Sequence, residues 1–177
     1  PNSILQVGGS IDGKHDYIFV DGNLEKDPLA KIEAYFNEGD IDFFGVTVMP
    51  GPQLQQAIPF SKIIKEKHPK TQIIWGGYFA SNQYQAVLDS NYVDYVINGP
   101  GDEAFPSLLD LLEGKIDLQL KDIPNLIFKS NQEFIKTKKA PLPEMETLAP
   151  FPYQKLDQTY PVKNYLAKTF MGQKTLS

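Results

Sequence analysis

The sequence predicts an α/β fold built on a parallel sheet, and three observations carry that prediction. Strand-like apolar runs alternate with amphipathic helical stretches at a repeat of roughly 25–30 residues, the signature of right-handed βαβ units. The runs are short and nearly continuous in apolar residues, as in strands covered by helices on both faces. Most of them end abruptly at glycine or proline. With 177 residues, 41% of them hydrophobic, the chain is long enough to bury one substantial core.

Residues 3–12 place Ile4, Val7 and Ile11 on one helical face, although Gly8 and Gly9 weaken that helix. Residues 15–21 (HDYIFVD) read as a buried strand closed by Gly22-Asn23. Asp27-Pro28 opens a helix as N-cap and first residue, with Leu29, Ile32, Tyr35 and Phe36 inward, and Gly39 stops it. Residues 42–49 (DFFGVTVM) read as a central strand buried on both faces, broken by Pro50-Gly51-Pro52. The next helix spans 53–67 with Leu54, Ala57, Ile58 and Ile64 inward, and Pro59 is expected to kink or divide it. Residues 72–75 form a short strand before Gly76-Gly77, residues 82–90 a short helix, and residues 93–97 a further strand before Asn98-Gly99-Pro100-Gly101. A helix from Asp102 to about Glu113 follows. Residues 126–129 and 134–138 suggest a hairpin around Ser130-Asn131. Residues 140–152 are proline-rich and extended, and residues 153–177 show no clear core pattern.

Composition excludes several functions. The net charge is −5, and the densest basic patches, Lys65–Lys70 and Lys136–Lys139, read as solvated surfaces, so no nucleic-acid partner is expected. With no cysteine there is neither a disulfide nor a thiolate metal site, and two histidines are too few for a multi-histidine centre. His15 and His68 precede strands and are expected on the surface; no metal ligand and no catalytic residue is assigned. No apolar run is long enough to span a membrane and no signal peptide is visible, so a cytoplasmic protein is expected. The chain begins at Pro1 and stops at Ser177, and both ends are expected to be cut.

In an open parallel sheet, ligands bind beyond the carboxyl ends of the strands. Four segments lie there: Asp21-Gly22-Asn23, Met49-Pro50-Gly51-Pro52, Gly76-Gly77-Tyr78-Phe79 and Asn98-Gly99-Pro100-Gly101-Asp102. A single glycine after a strand is an ordinary turn residue; several on one rim point to a cleft where a ligand approaches the backbone. Thr47, at the end of its strand, could offer its hydroxyl to a ligand or simply fill a β position. No Gly-x-Gly-x-x-Gly, no Walker loop and no histidine-based triad falls on this rim.

Five stretches together carry a family resemblance. They are Asp21-Gly22-Asn23; residues 44–49 with Gly51-Pro52-Gln53; residues 63–66 up to Pro69; Ile74-Trp75-Gly76-Gly77; and residues 93–99 with Gly101-Asp102-Glu103. In order and spacing, from about residue 3 to 113, the chain resembles the cobalamin-binding domain that precedes the radical domain in cobalamin-dependent radical S-adenosylmethionine enzymes. The resemblance implies a flavodoxin-like (Rossmann-like) doubly wound sheet of strand order 2-1-3-4-5, whose first strand is missing here, with residues 16–21 as the second. It implies a cobalamin-binding unit over residues 1–120. Residues 121–177 then form a hairpin and Pro-rich linker toward an absent C-terminal radical domain of the same parent chain. Cobalamin would be held by Thr47, Met49, Gly51, Gln53, Gly76, Gly77, Tyr78, Gly99, Gly101 and Asp102. The parent would also use a [4Fe-4S] cluster and S-adenosylmethionine in a methyltransferase-type reaction, and this piece would not be catalytic alone. Two features depart from the family. Gly99-Pro100-Gly101-Asp102 replaces its frequent Gly-Glu-Gly-Glu, and no Asp-x-His-x-x-Gly loop supplies a cobalt ligand. Competing readings are an FMN- or nucleotide-binding domain, an interaction module that has lost its cofactor, and a receiver domain.

Overall fold

The computed structural model describes residues 2–168 and 174–176. Helix α1 (Asn2–Ile11) opens the chain and α2 (Pro28–Glu38) follows, then strand β1 (Phe43–Thr47), helix α3 (Pro52–Lys67) and strand β2 (Gln72–Gly76). Two short helices, α4 (Tyr78–Asn82) and α5 (Tyr84–Leu88), precede β3 (Tyr95–Ile97) and α6 (Ala104–Leu112). A hairpin of β4 (Leu126–Ser130) and β5 (Glu133–Lys136), helix α7 (Tyr153–Thr159) and a small pair, β6 (Leu166–Lys168) with β7 (Lys174–Leu176), complete the described chain.

One sheet runs in the order β1-β2-β3-β4-β5. β1, β2 and β3 are parallel neighbours; β4 pairs antiparallel with β3, and β5 with β4. The strand period of two sorts its side chains to two faces. Ile73, Trp75, Val96 and Ile127 pack against α2, α3, α4 and α5. Ile74, Ile97, Leu126 and Phe128 pack against α6 and the end of α1. Helices on both faces make the doubly wound α/β fold that the sequence predicts. No helix among the described residues is long and apolar enough to cross a membrane.

Local chemistry explains the elements. Asp27 caps α2 by accepting from the Ala30 amide at 3.0 Å, with Pro28 following it as predicted. Gly8 and Gly9 lie inside α1 because other groups press against them. A Cβ at Gly8 would stand 2.5 Å from the Phe19 ring, and one at Gly9 2.6 Å from the Pro150 carbonyl oxygen. The close approach outweighs the helix propensity that glycine forfeits.

The structure corrects several expectations. Residues 16–21 form no regular secondary structure and belong to no sheet. Their burial alternates, with Phe19 and Asp21 inward and Asp16 and Ile18 outward, yet among the described residues no neighbouring strand offers them a ladder. The predicted central strand over 42–49 is the shorter β1, and it lies at the edge of the sheet with every residue at least partly exposed. An apolar run reports what a strand can bury, not how many neighbours it has. Pro59 lies within α3 without dividing it. The helix expected over 82–90 is replaced by α4 and α5, which meet at Gln83. Residues beyond 153, which show no pattern in sequence, form α7, whose Leu156 is buried with Tyr160, Leu5 and Phe19 in a third cluster. His15 is not a surface residue: its side chain is 6% exposed, between Asp110 and Glu113. His68 caps α3, with its ring 4.4 Å from that of Phe36.

Candidate functional site

The parallel strands direct their carboxyl ends to one rim, and most of the predicted site residues assemble there. Thr47 and Gly76 are register partners at the ends of β1 and β2. The ladder continues one step further, with the Val48 amide donating to the Gly76 carbonyl at 2.9 Å and the Phe79 amide to the Val48 carbonyl at 3.1 Å. These bonds clamp the turn after β1 to the start of α4.

Gly77 is required by this clamp. Its φ of +90° and ψ of 179° lie in a region that essentially only glycine occupies. A Cβ there would lie 2.8 Å from the Val48 carbonyl oxygen, 2.9 Å from its nitrogen and 3.2 Å from Thr47 Oγ1. Gly76 differs. Its φ is not positive, and a Cβ on it would find only Ile97 Cβ within reach, at 4.0 Å. Gly76 has the strand parity of Ile74, so its bare position opens on the sheet face shared with α1 and α6. Gly45 lies on the same face two register pairs earlier, under the Phe105 ring of α6, where a Cβ would stand 3.3 Å from Phe105 Cζ. Gly76 therefore leaves uncovered backbone at the carboxyl end of the sheet, between Thr47 on one side and Ile97 on the other.

The surrounding turns complete the rim. Gln53 Oε1 accepts from the Met49 amide at 3.0 Å, closing the loop before α3. That accounts for Gln53 as a support of the loop, and its carbonyl end is already engaged. Gly51 has a φ of +102° with nothing within 4 Å of where a Cβ would be. Met49 and Tyr78 are 48% and 63% exposed, a large investment of apolar surface on one rim. Gly99, at φ +121°, begins the third turn. Gly101 lies against α1. A Cβ on Gly101 would meet Val7 at 3.1 Å, and Asp102 Oδ1 is buried without a hydrogen-bond partner, as is Gln6 Nε2.

Sequence reasoning missed Asn125 and the buried contact of Asp21, a residue already placed on the rim. Asn125, 3% exposed at φ +57°, donates from Nδ2 to the Pro100 carbonyl at 3.1 Å and accepts from the Ala140 amide at 3.0 Å. Its backbone carbonyl accepts from the Asn98 amide at 2.7 Å. It thus ties the turn after β3 to the proline-rich run. The signal was Pro124-Asn125, a turn-forming pair just ahead of a strand. Asp21, 5% exposed, accepts from the Asn23 amide at 2.9 Å and from the Tyr165 hydroxyl at 2.8 Å. Burial, reinforced by that hydrogen bond to a carboxylate, raises the Tyr165 phenol above its ordinary range. Neither histidine lies on the carboxyl rim: one sits at the end of α6 and the other at the end of α3.

A cobalamin fits this rim by the one test the residues offer. A bulky ring system needs backbone without side chains, and Gly76 supplies an open position that a Cβ would fill.

The family model for the B12 binding domain matches residues 1–109. Among solved structures, the chain is similar to TsrM from Kitasatospora setae, a radical S-adenosylmethionine methyltransferase with cobalamin and a [4Fe-4S] cluster bound. The match has a TM-score of 0.64 at 19% identity, over 85% of this chain and 28% of that one. It is also similar to OxsB, a cobalamin-dependent S-adenosylmethionine radical enzyme with aqua-cobalamin and S-adenosylmethionine bound. That match has a TM-score of 0.56 at 14% identity, over 64% of this chain and 16% of that one. This chain therefore spans less than a third of either enzyme's length. No curated protein matches the sequence. With a family match over residues 1–109, more than half of its length, the chain belongs to the B12-binding domain family.

Proposed function

We propose that this chain holds cobalamin against the carboxyl rim of β1, β2 and β3, as the cofactor-binding part of a radical S-adenosylmethionine enzyme with a methyltransferase-type reaction. The single observation that carries the binding reading is the paired behaviour of Gly76 and Gly77. One is locked by contact with the neighbouring turn, and the other leaves the carboxyl end of the sheet bare.

Bound cobalamin would supply a cobalt centre able to relay a methyl group; the residues of this chain bind and orient it. Gly76 lets the ligand reach the strand backbone. Gly77 fixes the turn that brings Val48 and Thr47 beside it, and the Thr47 hydroxyl is placed to hydrogen-bond a ligand amide. Met49 and Tyr78 cover apolar edges of the ring and exclude water. Gly51 and Gly99 keep two turns low enough for a broad ligand to lie across them, and Gln53 supports the first of these. Gly101 and Asp102 close the site toward α1, where the unpartnered Asp102 Oδ1 is available to a ligand donor. Both histidines lie away from this rim, so neither is among the residues that would hold the cofactor. On this reading residues 1–120 carry the cofactor and residues 121–177 lead toward a radical domain that holds the [4Fe-4S] cluster and S-adenosylmethionine.

Titration with hydroxocobalamin, read by visible absorption and by co-elution on gel filtration, tests the proposal. A saturable spectral change with one corrinoid per chain is the expected outcome. A folded chain that elutes free of corrinoid at the end of the titration would contradict it.

A further inference from the structure

A second cluster lies at the other end of α6. Asp110 and Glu113, three residues apart, fall on one face of its last turn. His15, in the turn that follows α1, reaches between them: Nε2 stands 3.0 Å from Asp110 Oδ1, and Nδ1 3.4 Å from Glu113 Oε2. One donor atom from each residue lies within 4.8 Å of the others. The imidazole is 94% buried by side-chain area, given its 6% exposure. Although Nε2 is close to Asp110, it is not aligned for a hydrogen bond, and it is left buried without a partner. A buried ring nitrogen that stands beside a carboxylate without a hydrogen bond to it is a ligand atom with unused capacity.

From this geometry we infer a binding site for one divalent transition ion of the zinc type, held by His15, Asp110 and Glu113. The donor set is one imidazole nitrogen and two carboxylate oxygens, which suits a borderline ion and leaves a fourth position open. The carboxyl end of α6 adds the negative end of the helix dipole, and its last carbonyls point the same way. Both sides are already anchored. The His15 amide donates to the Ile11 carbonyl at 3.1 Å, the Glu113 amide to Leu109 at 2.9 Å, and the Lys115 amide to Asp110 at 2.8 Å. Glu113 also borders a cavity of about 520 Å³ shared with Asp42, Lys70 and Tyr95, which gives an ion a path from solvent. The competing cation is Lys115, whose Nζ lies 2.6 Å from Glu113 Oε2; its side chain is 49% exposed and free to swing into water. Six residues of α6, about 9 Å along its axis, precede Asp110 and separate this cluster from the carboxyl rim. The ion would therefore join α1 to α6 without touching the cofactor, and the inference stands whether or not cobalamin binds.

The test uses the whole chain, stripped of metal and free of corrinoid. It is titrated with Zn²⁺ by calorimetry and with Co²⁺ by visible absorption. One ion per chain is expected, with a rise in melting temperature on adding Zn²⁺. His15→Gln and Glu113→Gln should each weaken binding by about tenfold or more. Asp117→Asn, an exposed acid outside the cluster, should leave it unchanged. Lys115→Ala should tighten it by removing the competitor, which a mere ion-pair network would not do. If His15→Gln fails to fold, the exposed Glu113→Gln and Lys115→Ala variants still decide. No saturable uptake of either ion, or equal uptake by folded Glu113→Gln and the parent chain, would overturn the site.

Discussion

Replacing Gly77 by alanine separates two costs that the structure assigns to one residue. The first is conformational. At φ +90° and ψ 179° an L-residue is held where only glycine is comfortable, at a cost of about 1–3 kcal/mol. The second is steric: the new methyl group would sit 2.8 Å from the Val48 carbonyl oxygen and 2.9 Å from its nitrogen. Both atoms are backbone, held by ladder bonds to Gly76 and Phe79, so neither can yield without breaking a bond. Overpacking of that kind adds about 1–3 kcal/mol. Gly51→Ala is the matched control. Its φ is +102° and nothing lies within 4 Å, so it carries the conformational cost alone. In urea unfolding, with a slope of about 2 kcal/mol per molar, Gly77→Ala should lower the midpoint by roughly 1–3 M and Gly51→Ala by about half as much. Equal losses in the two variants would refute the contact between Gly77 and Val48, and with it the clamp that shapes the rim.

Other expectations follow from particular contacts. Ser61→Ala strips the buried Trp75 Nε1 of the acceptor it holds at 2.9 Å, at a cost of about 1–3 kcal/mol, and fluorescence of the only tryptophan reports it directly. Asp94→Asn removes the charge that accepts from Lys65 Nζ at 2.8 and 2.9 Å, while Ile73 keeps a hydrogen-bond acceptor. It should cost about 1–2 kcal/mol by denaturant midpoint, and the loss should shrink in high salt. Asn125→Ala should speed hydrogen exchange at the Ala140 amide by removing its acceptor, with little change at α3. Burial first, and carboxylate neighbours second, raise the phenols of Tyr17, Tyr160 and Tyr165 in the folded chain. The neutral form is thereby favoured on folding. Above about pH 10 the unfolded chain loses phenolic protons that the folded chain keeps, so stability should decline as pH rises from there. An ultraviolet titration in which these tyrosines ionise only on unfolding checks the sign.

Much of this molecule is legible in its sequence. Asp27-Pro28, the run ending at Trp75 and the glycine turns on the rim each carry a local signal, because capping and backbone freedom depend on near neighbours. What is missed depends on distant ones. The run from Asp16 to Asp21 has strand composition but no partner among the described residues, and β1 is apolar enough to be central yet lies at an edge. Leu156 and Tyr160 looked like parts of a patternless tail because the surface they cover belongs to α1 and Phe19. The rim shows the same division. Gly76 and Gly77 read as one turn, and only the structure shows that one is locked and the other open. His15 preceded a strand-like run and so looked exposed; the acids that enclose it come from α6, almost a hundred residues later.

The most direct test of the central claim is hydroxocobalamin affinity measured side by side for the parent chain and Gly76→Val. A β-branched side chain suits a strand, and the site around Gly76 is open, so the variant should fold with its stability within about 1 kcal/mol of the parent. It would nevertheless fill the gap at the carboxyl end of the sheet. The account predicts saturable corrinoid binding by the parent and a loss of at least about a hundredfold in the variant, as expected when a bulky group clashes with a ligand. Equal affinity in the two proteins, with both folded, would contradict the placement of the cofactor.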